Sequence, residues 1–439
     1  MMVLILWSVL AGLAALLGLL RWRVVYHTRA RRRVLSAACH PQPPLPPPAV
    51  SIIVAARNEE RDIETCVRSL LAQQYPDYEV IVVDDRSTDR TPLLLRTLAE
   101  ASRGRLKVIT VTDLPPGWFG KCNALREGVA VARGDWVLLT DADCRHESPL
   151  TLRAAVGEAL HSKADLLTMT PPFRMPTLWE RLIQPVCVMT LMTWFRPTRV
   201  NNPNRATAFA NGMFTLIRRP LLETLLRDGR MRNVLNEDIR MARLAKETGY
   251  RLRVVEGVDL YTTRMYGTFG RAWRGWSRLF CGCLETVPRL LVTLLMLVVY
   301  GVLPLIGLLT ALGGAWRAGE GRSQWWWLGL AAGWLLLWAG QALVDGPVYR
   351  SLGAPARWAW GFPLGAAVTM GMVLHALLQV LGLAGTTWRG TTYRRGAVQP
   401  AADAPCAPEA VSCTPATQSP AFRVSDRGGG VFTRDRSRG

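Results

Sequence analysis

A short apolar run that ends in two alternate aspartates is the feature that most restricts the fold of this chain. Residues 136–139 have the length and the flanks of a buried strand rather than of a helix. Side chains two apart at a strand end point the same way, so Asp141 and Asp143 project into one crevice. Ligands of open α/β sheets bind there, and two carboxylates suit a divalent cation that neutralises a diphosphate. The alternative is an Asp-rich turn.

Short apolar runs alternate with amphipathic stretches before this strand. The other predicted strands are residues 50–55, 80–83 and 106–111. The predicted helices between them are residues 60–74, 90–101 and 120–133. Such alternation predicts βαβ units, and therefore an α/β domain with a mainly parallel sheet covered on both faces. We assign this domain to residues 49–265.

The first two strands also end in polar clusters, at the same edge of the sheet as the aspartate pair. Asn58 and Glu59 follow the first strand, and Asp84 and Asp85 end the second. Asn58 and Asp89 suit helix caps, and we interpret Asp89 as one. Two adjacent carboxylates repel one another, which favours a bound group at Asp84 and Asp85.

Lys121 stands in the first turn of the helix that precedes the aspartate strand. A cation there opposes the helix macrodipole, which favours anions at a helix N-terminus. A bound phosphate would reconcile the two, because such termini are ready anion sites. The alternative is an ordinary surface lysine.

Residues 1–20 are an uncharged apolar stretch long enough to span a bilayer as a helix. Six arginines follow within residues 21–33, whereas a cleaved signal peptide carries its charge before the apolar run. We therefore predict a signal anchor, with the chain after it in the cytoplasm. Residues 21–48 are predicted to be a basic, Pro-rich linker that lifts the domain off the membrane.

The second half of the chain is also apolar. Residues 177–195 predict an amphipathic helix in the headgroup layer, with a core helix as the alternative. The Trp- and Arg-rich residues 266–287 predict a second interfacial segment. About three transmembrane helices are expected in residues 288–384. Residues 385–439 are predicted to be a basic, largely disordered tail.

Counting the spans exposes a conflict about the side on which the tail lies. Three full spans after a cytoplasmic domain would place the tail outside, whereas the arginines after residue 388 favour the inside. A re-entrant or split segment would resolve the conflict, and Pro304 or Pro363 could break one.

Composition limits the class of partner. The chain has a formal charge of +20, and only four of its 53 basic residues are lysines. A basic protein binds nucleic acid, anionic headgroups or a phosphorylated ligand. No nucleic-acid-binding signature is present and the apolar segments favour the phospholipid bilayer, so we expect no nucleic acid. The nine cysteines form no C-x-x-C pair, which favours reduced thiols over disulfides or zinc.

Four runs carry a resemblance to a known family. They are VSIIVAARNEE, VIVVDDRSTDRT, GKCNALREGVAVARGDWVLLTDAD and NEDIRMARLAKETGYRLRV. Over residues 50–280 the chain resembles family 2 glycosyltransferases of the GT-A fold. It looks closest to the bacterial branch that contains hopene-associated and carotenoid glycosyltransferases.

The resemblance implies a donor-binding role for four positions and a metal-binding role for a fifth. The nucleotide would be bound by Glu59 and Asp85, with Asp84 beside them. The sugar of the nucleotide would face Asp141. Asp143 would bind the divalent cation, Mg²⁺ or Mn²⁺.

The family's Glu-Asp pair supplies the catalytic base, which implies Asp238 with Glu237 in support. An acceptor hydroxyl is a poor nucleophile until a carboxylate takes its proton in the transition state. One base and no enzyme nucleophile mean a single displacement with inversion. Without the resemblance, these two residues would be interpreted as an ordinary helix start.

A motif of the form Q/R-x-x-R-W follows in many members of the family. This chain departs from it, because Gly275 stands where tryptophan belongs and Trp276 comes one place late. The positions expected on the acceptor or membrane side are Asn211, Gly212, Arg271, Arg274 and Trp276.

These features predict an inverting glycosyltransferase in the cell membrane, multi-pass, with its catalytic domain in the cytoplasm. The donor would be a nucleotide-sugar and the acceptor a membrane lipid such as a hopanoid, carotenoid or polyprenyl phosphate. A processive polysaccharide synthase is the alternative enzyme, but it needs the intact motif and usually more spans. A non-catalytic membrane scaffold with the same fold would have lost the base or the metal ligand.

Overall fold

The computed structural model describes residues 2–227, 229–232, 234, 236–388, 391–394 and 397–399. Its strands are β1 Val34–Leu35, β2 Val50–Ala56, β3 Tyr78–Asp85, β4 Leu106–Val111, β5 Trp136–Asp141, β6 Cys144–Arg145, β7 Leu166–Thr170, β8 Thr215–Arg218, β9 Leu252–Gly257, β10 Thr262–Thr263, β11 Thr386–Trp388, β12 Thr391–Arg394 and β13 Ala397–Gln399.

The α-helices of the described residues are α1 Met2–Ala30, α2 Ile63–Leu71, α3 Thr91–Ala101, α4 Gly120–Ala130, α5 Thr151–His161, α6 Leu178–Trp194, α7 Pro197–Val200, α8 Arg219–Arg227, α9 Glu237–Glu247, α10 Phe269–Leu284, α11 Val287–Met296, α12 Leu303–Ala318, α13 Arg322–Ser351 and α14 Phe362–Val380. A π-helical segment, Leu297–Val302, joins α11 to α12, and a 3₁₀ segment, Ala356–Gly361, precedes α14.

An eight-stranded sheet forms the centre of the domain, in the order β1-β9-β7-β8-β5-β2-β3-β4. Strand β8 is antiparallel to β5 and β7, and every other pairing in this sheet is parallel. Strand β3 is buried along its whole length, and its apolar run at residues 80–83 is typical of a strand covered on both faces. The predicted α/β domain with a mainly parallel sheet is confirmed.

The segment predicted to be a free linker instead contributes to the sheet. Strand β1 lies inside it and pairs in parallel with β9, Val34 opposite Glu256 and Leu35 opposite Gly257. The side chain of Leu35 is fully buried in the core. A β-carbon added at Gly157 of α5 would collide with the carbonyl oxygen of Pro41, so the Pro-rich run lies directly on that helix. The segment therefore fixes the end of α1 to the domain.

Four helices in the described chain are long and apolar enough to cross a membrane. They cover Met2–Ala30, Val287–Ala318, Arg322–Ser351 and Ala356–Val380. The first extends ten residues beyond the predicted span and packs against α12 and α13. Pro304 and Pro363 do not break the helical segments that contain them. Pro304 lies in the first turn of α12 and Pro363 in the first turn of α14, where proline is tolerated.

The prediction for residues 177–195 is corrected in favour of its alternative. Helix α6 begins at a capping box of Thr177 and Glu180 and packs against α10 and α14. Most of its side chains are buried, including Ile183, Val186 and Cys187. It is a core helix whose apolar face is covered by other helices of the chain.

The strands β11, β12 and β13 form a small antiparallel sheet after α14. The predicted disorder of the tail concerns residues that otherwise lie outside the described part of the chain.

Candidate active site

A single cavity of about 1340 Å³ lies at the carboxyl edge of the sheet and reaches the apolar helices. Its walls at the sheet come from the loops after β2, β3 and β5 and from the starts of α4 and α9. Its walls at the other end come from α1, α6, α11, the π-helical segment and the end of α13. The predicted donor edge and the apolar helices therefore share one space.

The loops after β2 and β3 are held together by hydrogen bonds. Asn58 adopts a left-handed conformation with φ 55°, and its Oδ1 accepts the N–H of Thr88 at 2.8 Å. The N–H of Glu59 donates to Oγ1 of Thr91 at 2.8 Å. Asp89 accepts the N–H of Thr91 at 2.9 Å, but the N-cap of α3 is Arg90, so Asp89 lies one residue before the predicted cap position. These bonds present Glu59 to the cavity.

The two adjacent aspartates at the end of β3 have different environments. Asp84 is buried outside the cavity, where its Oδ1 accepts the N–H of Ser87 at 3.2 Å. It shapes the turn, contrary to its predicted place beside the donor. Asp85 lines the cavity and receives two bonds from the Arg86 guanidinium, Nε to Oδ1 at 2.8 Å and Nη2 to Oδ2 at 3.0 Å. A β-carbon at Gly120 would collide with Oδ2 of Asp85, so this approach requires glycine.

The two aspartates after β5 both line the cavity, as their alternate spacing predicts. Oδ1 of Asp141 accepts a hydrogen bond from Nζ of Lys121 at 2.6 Å. Asp143 has no lysine or arginine within ion-pair distance in the described chain, and its contact there is the thiol of Cys144 at 3.8 Å. Burial, together with the charges of Asp141 and Glu59, raises the pKa of Asp143 to about 8.

The environment of Asp143 suits a divalent cation. Asp143 is half-buried, and a carboxylate that is partly removed from water without a cationic partner is stabilised by a bound cation. No group of three or more His, Cys, Asp or Glu side chains in the described residues is placed to hold a metal. A cation at Asp143 would therefore take further oxygens from a ligand or from water, as Mg²⁺ commonly does.

Lys121 joins the donor aspartate to the predicted catalytic pair. Its Nζ lies 2.6 Å from Oδ1 of Asp141 and 2.5 Å from Oε1 of Glu237. Burial disfavours the charged amine, but the carboxylates of Asp141, Glu237 and Asp238 outweigh burial and raise the pKa of Lys121. A β-carbon at Gly212 would lie 2.8 Å from this Nζ, so the glycine leaves room for the bridge. The surface-lysine alternative is excluded.

Asp238 lines the cavity at the start of α9. Its Oδ2 accepts the N–H of Gly212 at 2.8 Å, and its Oδ1 accepts the N–H of Ile239 at 2.8 Å. Burial and the neighbouring charge of Glu237 raise the pKa of Asp238 to about 7. Such a carboxyl group is well matched to accepting a proton near neutral pH.

The residues expected on the acceptor side divide into two groups. Asn211, Gly212 and Trp276 line the cavity, although the side chain of Asn211 serves the backbone by donating to the carbonyl of Met169 at 2.6 Å. Arg271 and Arg274 are not among the lining residues, and their side chains are exposed on α10. The structure therefore does not bring these two arginines to the cavity.

Comparison with known proteins agrees with this geometry. Residues 51–226 match the family model described as glycosyl transferase family 2. The chain carries a glycosyl transferase family 2 domain. A mannosyltransferase from Pyrobaculum calidifontis, solved in complex with GDP-Man and Mn²⁺, superposes with a TM-score of 0.51 at 19% identity, covering 86% of this chain and 98% of that one. The likeness shows the shared GT-A fold.

The names of two curated relatives that match the family 2 domain contain a lipid or a carotenoid. The chain is 32% identical over 186 residues to a beta-monoglucosyldiacylglycerol synthase of Nostoc sp., which covers 40% of this chain and 37% of the synthase. It is 34% identical over 124 residues to a 4,4'-diaponeurosporenoate glycosyltransferase of Staphylococcus aureus, which covers 28% of this chain and 32% of that enzyme. The match thus spans about a third of the length of these relatives.

Sequence reasoning missed an arginine that α1 brings to the cavity and the buried acidic residue of α13 that pairs with it. Nη2 of Arg21 lies 3.2 Å from Oδ1 of Asp345, and its guanidinium carbon lies 4.0 Å above the ring of Tyr300. Asp345 is the acidic residue within the apolar run of α13, and an ionisable residue in such a run is a signal of function. Arg278 and Tyr266 also line the cavity and had no distinguishing sequence signal.

Proposed function

We propose that this protein is a membrane-bound, inverting glycosyltransferase that moves a sugar from a nucleotide-sugar to a lipid acceptor at the cytoplasmic face. The observation that carries the proposal is the continuous cavity, in which carboxylates of the sheet edge and side chains of the apolar helices line the same space. An apolar lining of this kind suits an acceptor with apolar chains, and a water-soluble acceptor does not require it. The names of the two curated relatives, a glucosyldiacylglycerol synthase and a diaponeurosporenoate glycosyltransferase, support a lipid acceptor.

The carboxylates at the sheet edge support the donor role. Glu59 and Asp85 line the part of the cavity that would take the nucleotide, and Asp141 lies next to them. Asp143 would hold Mg²⁺ or Mn²⁺, and the cation when bound supplies positive charge to the diphosphate that leaves. Lys121 adds a fixed positive charge at the same place, and its bridge to Asp141 and Glu237 keeps it there.

Asp238 is the residue that would remove the proton of the acceptor hydroxyl. Two backbone N–H groups fix the orientation of its carboxylate, and burial keeps its pKa high enough for it to act as a base near pH 7. Attack on the sugar from the side opposite the leaving diphosphate would invert the anomeric centre in one displacement. Glu237 helps by raising the pKa of its neighbour and by holding Lys121.

Transfer to lipid is tested directly with the full chain in vesicles. The protein is incubated with radiolabelled nucleotide-sugars and with lipid extracts, and label in the organic phase is identified by mass spectrometry. We expect label in a lipid product for the wild type and its loss in Asp238→Asn. Label that stays in the aqueous phase as free sugar, or enters a polymer, would contradict a lipid acceptor.

A further inference from the structure

Three arginines stand on the cavity wall where the end of α1 meets the end of α13. They are Arg29, Arg32 and Arg350. Nη1 of Arg32 pairs with Oε2 of Glu256 at 2.8 Å. Within the described part of the chain, neither Arg29 nor Arg350 has a carboxylate within the ion-pair distance of 4.0 Å. Nη1 of Arg29 is buried and has no hydrogen-bond partner there.

The charges of the three arginines and of Glu256 are close enough to interact electrostatically. Arg29 lies within electrostatic range of Arg32, Glu256 and Arg350. The single carboxylate among them belongs to Glu256, whose pKa burial raises despite the opposing charges of Arg32 and Arg29. Three cations near one anion leave two positive charges without a counter-charge among the residues that the structure describes. An unpartnered buried donor on a cationic group is costly, so this wall is built to receive an anion.

The general preference for arginine on the cytoplasmic side of a membrane does not explain this placement. It accounts for Arg23 and Arg31, whose side chains are exposed and do not line the cavity. It does not require arginines to line a cavity that also leads to Asp238, as the half-buried Arg29 and Arg32 and the exposed Arg350 do.

We propose that Arg29, Arg32 and Arg350 form a subsite for the phosphate group of a membrane lipid. Guanidinium groups bind phosphate oxygens through paired hydrogen bonds. The adjoining lining is apolar, with Leu20, Val24 and Val25 of α1 and Val348 of α13, as the chains of a lipid require. The subsite deepens the proposed function, because it lies in the cavity assigned to the lipid acceptor.

Two classes of membrane lipid carry a phosphate group that could bind at this subsite. The phosphate belongs either to the acceptor itself or to a bilayer phospholipid seated beside a neutral acceptor. The two are distinguished by separate probes, farnesyl phosphate for a prenyl monoester and dioleoylphosphatidylglycerol for a phospholipid. Dioleoylglycerol, which has no phosphate, serves as the neutral probe.

The experiment measures binding of each probe to the full chain by native mass spectrometry, without donor. The test variant carries Arg29→Gln with Arg350→Gln. The matched control carries Arg31→Gln with Arg357→Gln, which removes two arginine charges from exposed positions nearby that do not line the cavity. We expect the test variant to bind one of the phosphate probes about tenfold or more weakly, whereas the control binds it as the wild type does.

Each outcome decides the inference. Selective loss of farnesyl phosphate supports an acceptor phosphate, and selective loss of phosphatidylglycerol supports a neighbouring phospholipid. Equal binding by the wild type and the test variant overturns the subsite, as does an equal loss in the control. Sugar transfer is assayed separately on the same preparations. Absence of transfer with intact phosphate binding would refute the proposed function and leave the subsite standing.

Discussion

At the scale of single residues, a substitution of the proposed base Asp238 tests the chemical step separately from donor binding. A base acts mainly in the transition state, so Asp238→Asn should lower kcat by a factor of about 10² to 10⁴ and leave donor affinity nearly unchanged. Asparagine keeps the shape, but one of the N–H groups of Gly212 and Ile239 loses its acceptor, so a small loss of Tm is expected. Turnover and nucleotide-sugar binding are measured on the same variant. Turnover within a few-fold of the wild type would make Asp238 only a helix-starting residue.

The pH dependence of transfer should report the same carboxyl group. The base works when deprotonated, and burial beside Glu237 raises its pKa to about 7. We therefore expect kcat/KM of the wild type to fall about tenfold per pH unit below that value and to level off above it. An ordinary exposed aspartate, with a pKa of about 3.9, would keep nearly full activity down to about pH 5. The profile is recorded with saturating cation, and a flat wild-type profile between pH 5 and 7 would be incompatible with Asp238 as the base.

Asp143 should control the dependence on metal. Asp143→Ala is expected to abolish transfer and to weaken nucleotide-sugar binding, because the diphosphate then lacks its counter-charge. Asp113→Ala, at an exposed aspartate outside the cavity, is the matched control and should behave as the wild type. Activity is measured during titration with EDTA and then with Mg²⁺ or Mn²⁺. Wild-type activity that survives the chelator would exclude a metal role for Asp143.

At the scale of elements, the parts predicted correctly are those that local pattern determines. The strands β2, β3 and β5 contain continuous apolar runs, and their polar ends must meet at one edge of a parallel sheet. The sequence of α6 predicts a helix in the headgroup layer, because an apolar helix face has the same residue pattern whether lipid or another helix, here α14, covers it. Strand β1 is two residues long, and its partner β9 lies more than 200 residues away, so no local pattern reveals it. The burial of Asp84 likewise depends on a turn, not on its charge.

The contact between the Pro-rich run and α5 can be tested at Gly157. A β-carbon there would collide with the carbonyl oxygen of Pro41. We expect Gly157→Ala to destabilise the protein by about 1–3 kcal/mol, although alanine favours a helix. Gly333→Ala in α13 is the control, because nothing lies within 4 Å of its added carbon. The thermal unfolding midpoint of each purified variant is measured. A midpoint for Gly157→Ala at or above that of the control would show that the run is a loose spacer.

At the scale of the whole molecule, the packing of helix α14 suggests on which side of the membrane the tail lies, which the number of predicted spans and the arginines after residue 388 leave in conflict. Half of the most apolar stretch of the segment Ala356–Val380 is buried inside the protein, compared with a third or less in the other three candidates. It packs against α6 and α10 next to the sheet, where the thiol of Cys187 on α6 meets Oγ1 of Thr369 and Nε1 of Trp273 on α10 donates to His375. Its other side packs against α11 and the π-helical segment. A helix covered in this way has little surface left for lipid on that face.

We therefore expect three crossings, by α1, by α11 with α12, and by α13, and no crossing by α14. This count places the tail on the cytoplasmic side, where its arginines favour it. It also agrees with the pair of Arg21 and Asp345, which sets the cytoplasmic end of α1 beside the end of α13. Reporters fused after Pro48 and after Arg395 should both read inside, and one inserted between α12 and α13 should read outside. An outside signal after Arg395 would show that α14 crosses, and an outside signal after Pro48 would remove the domain from its nucleotide-sugar supply.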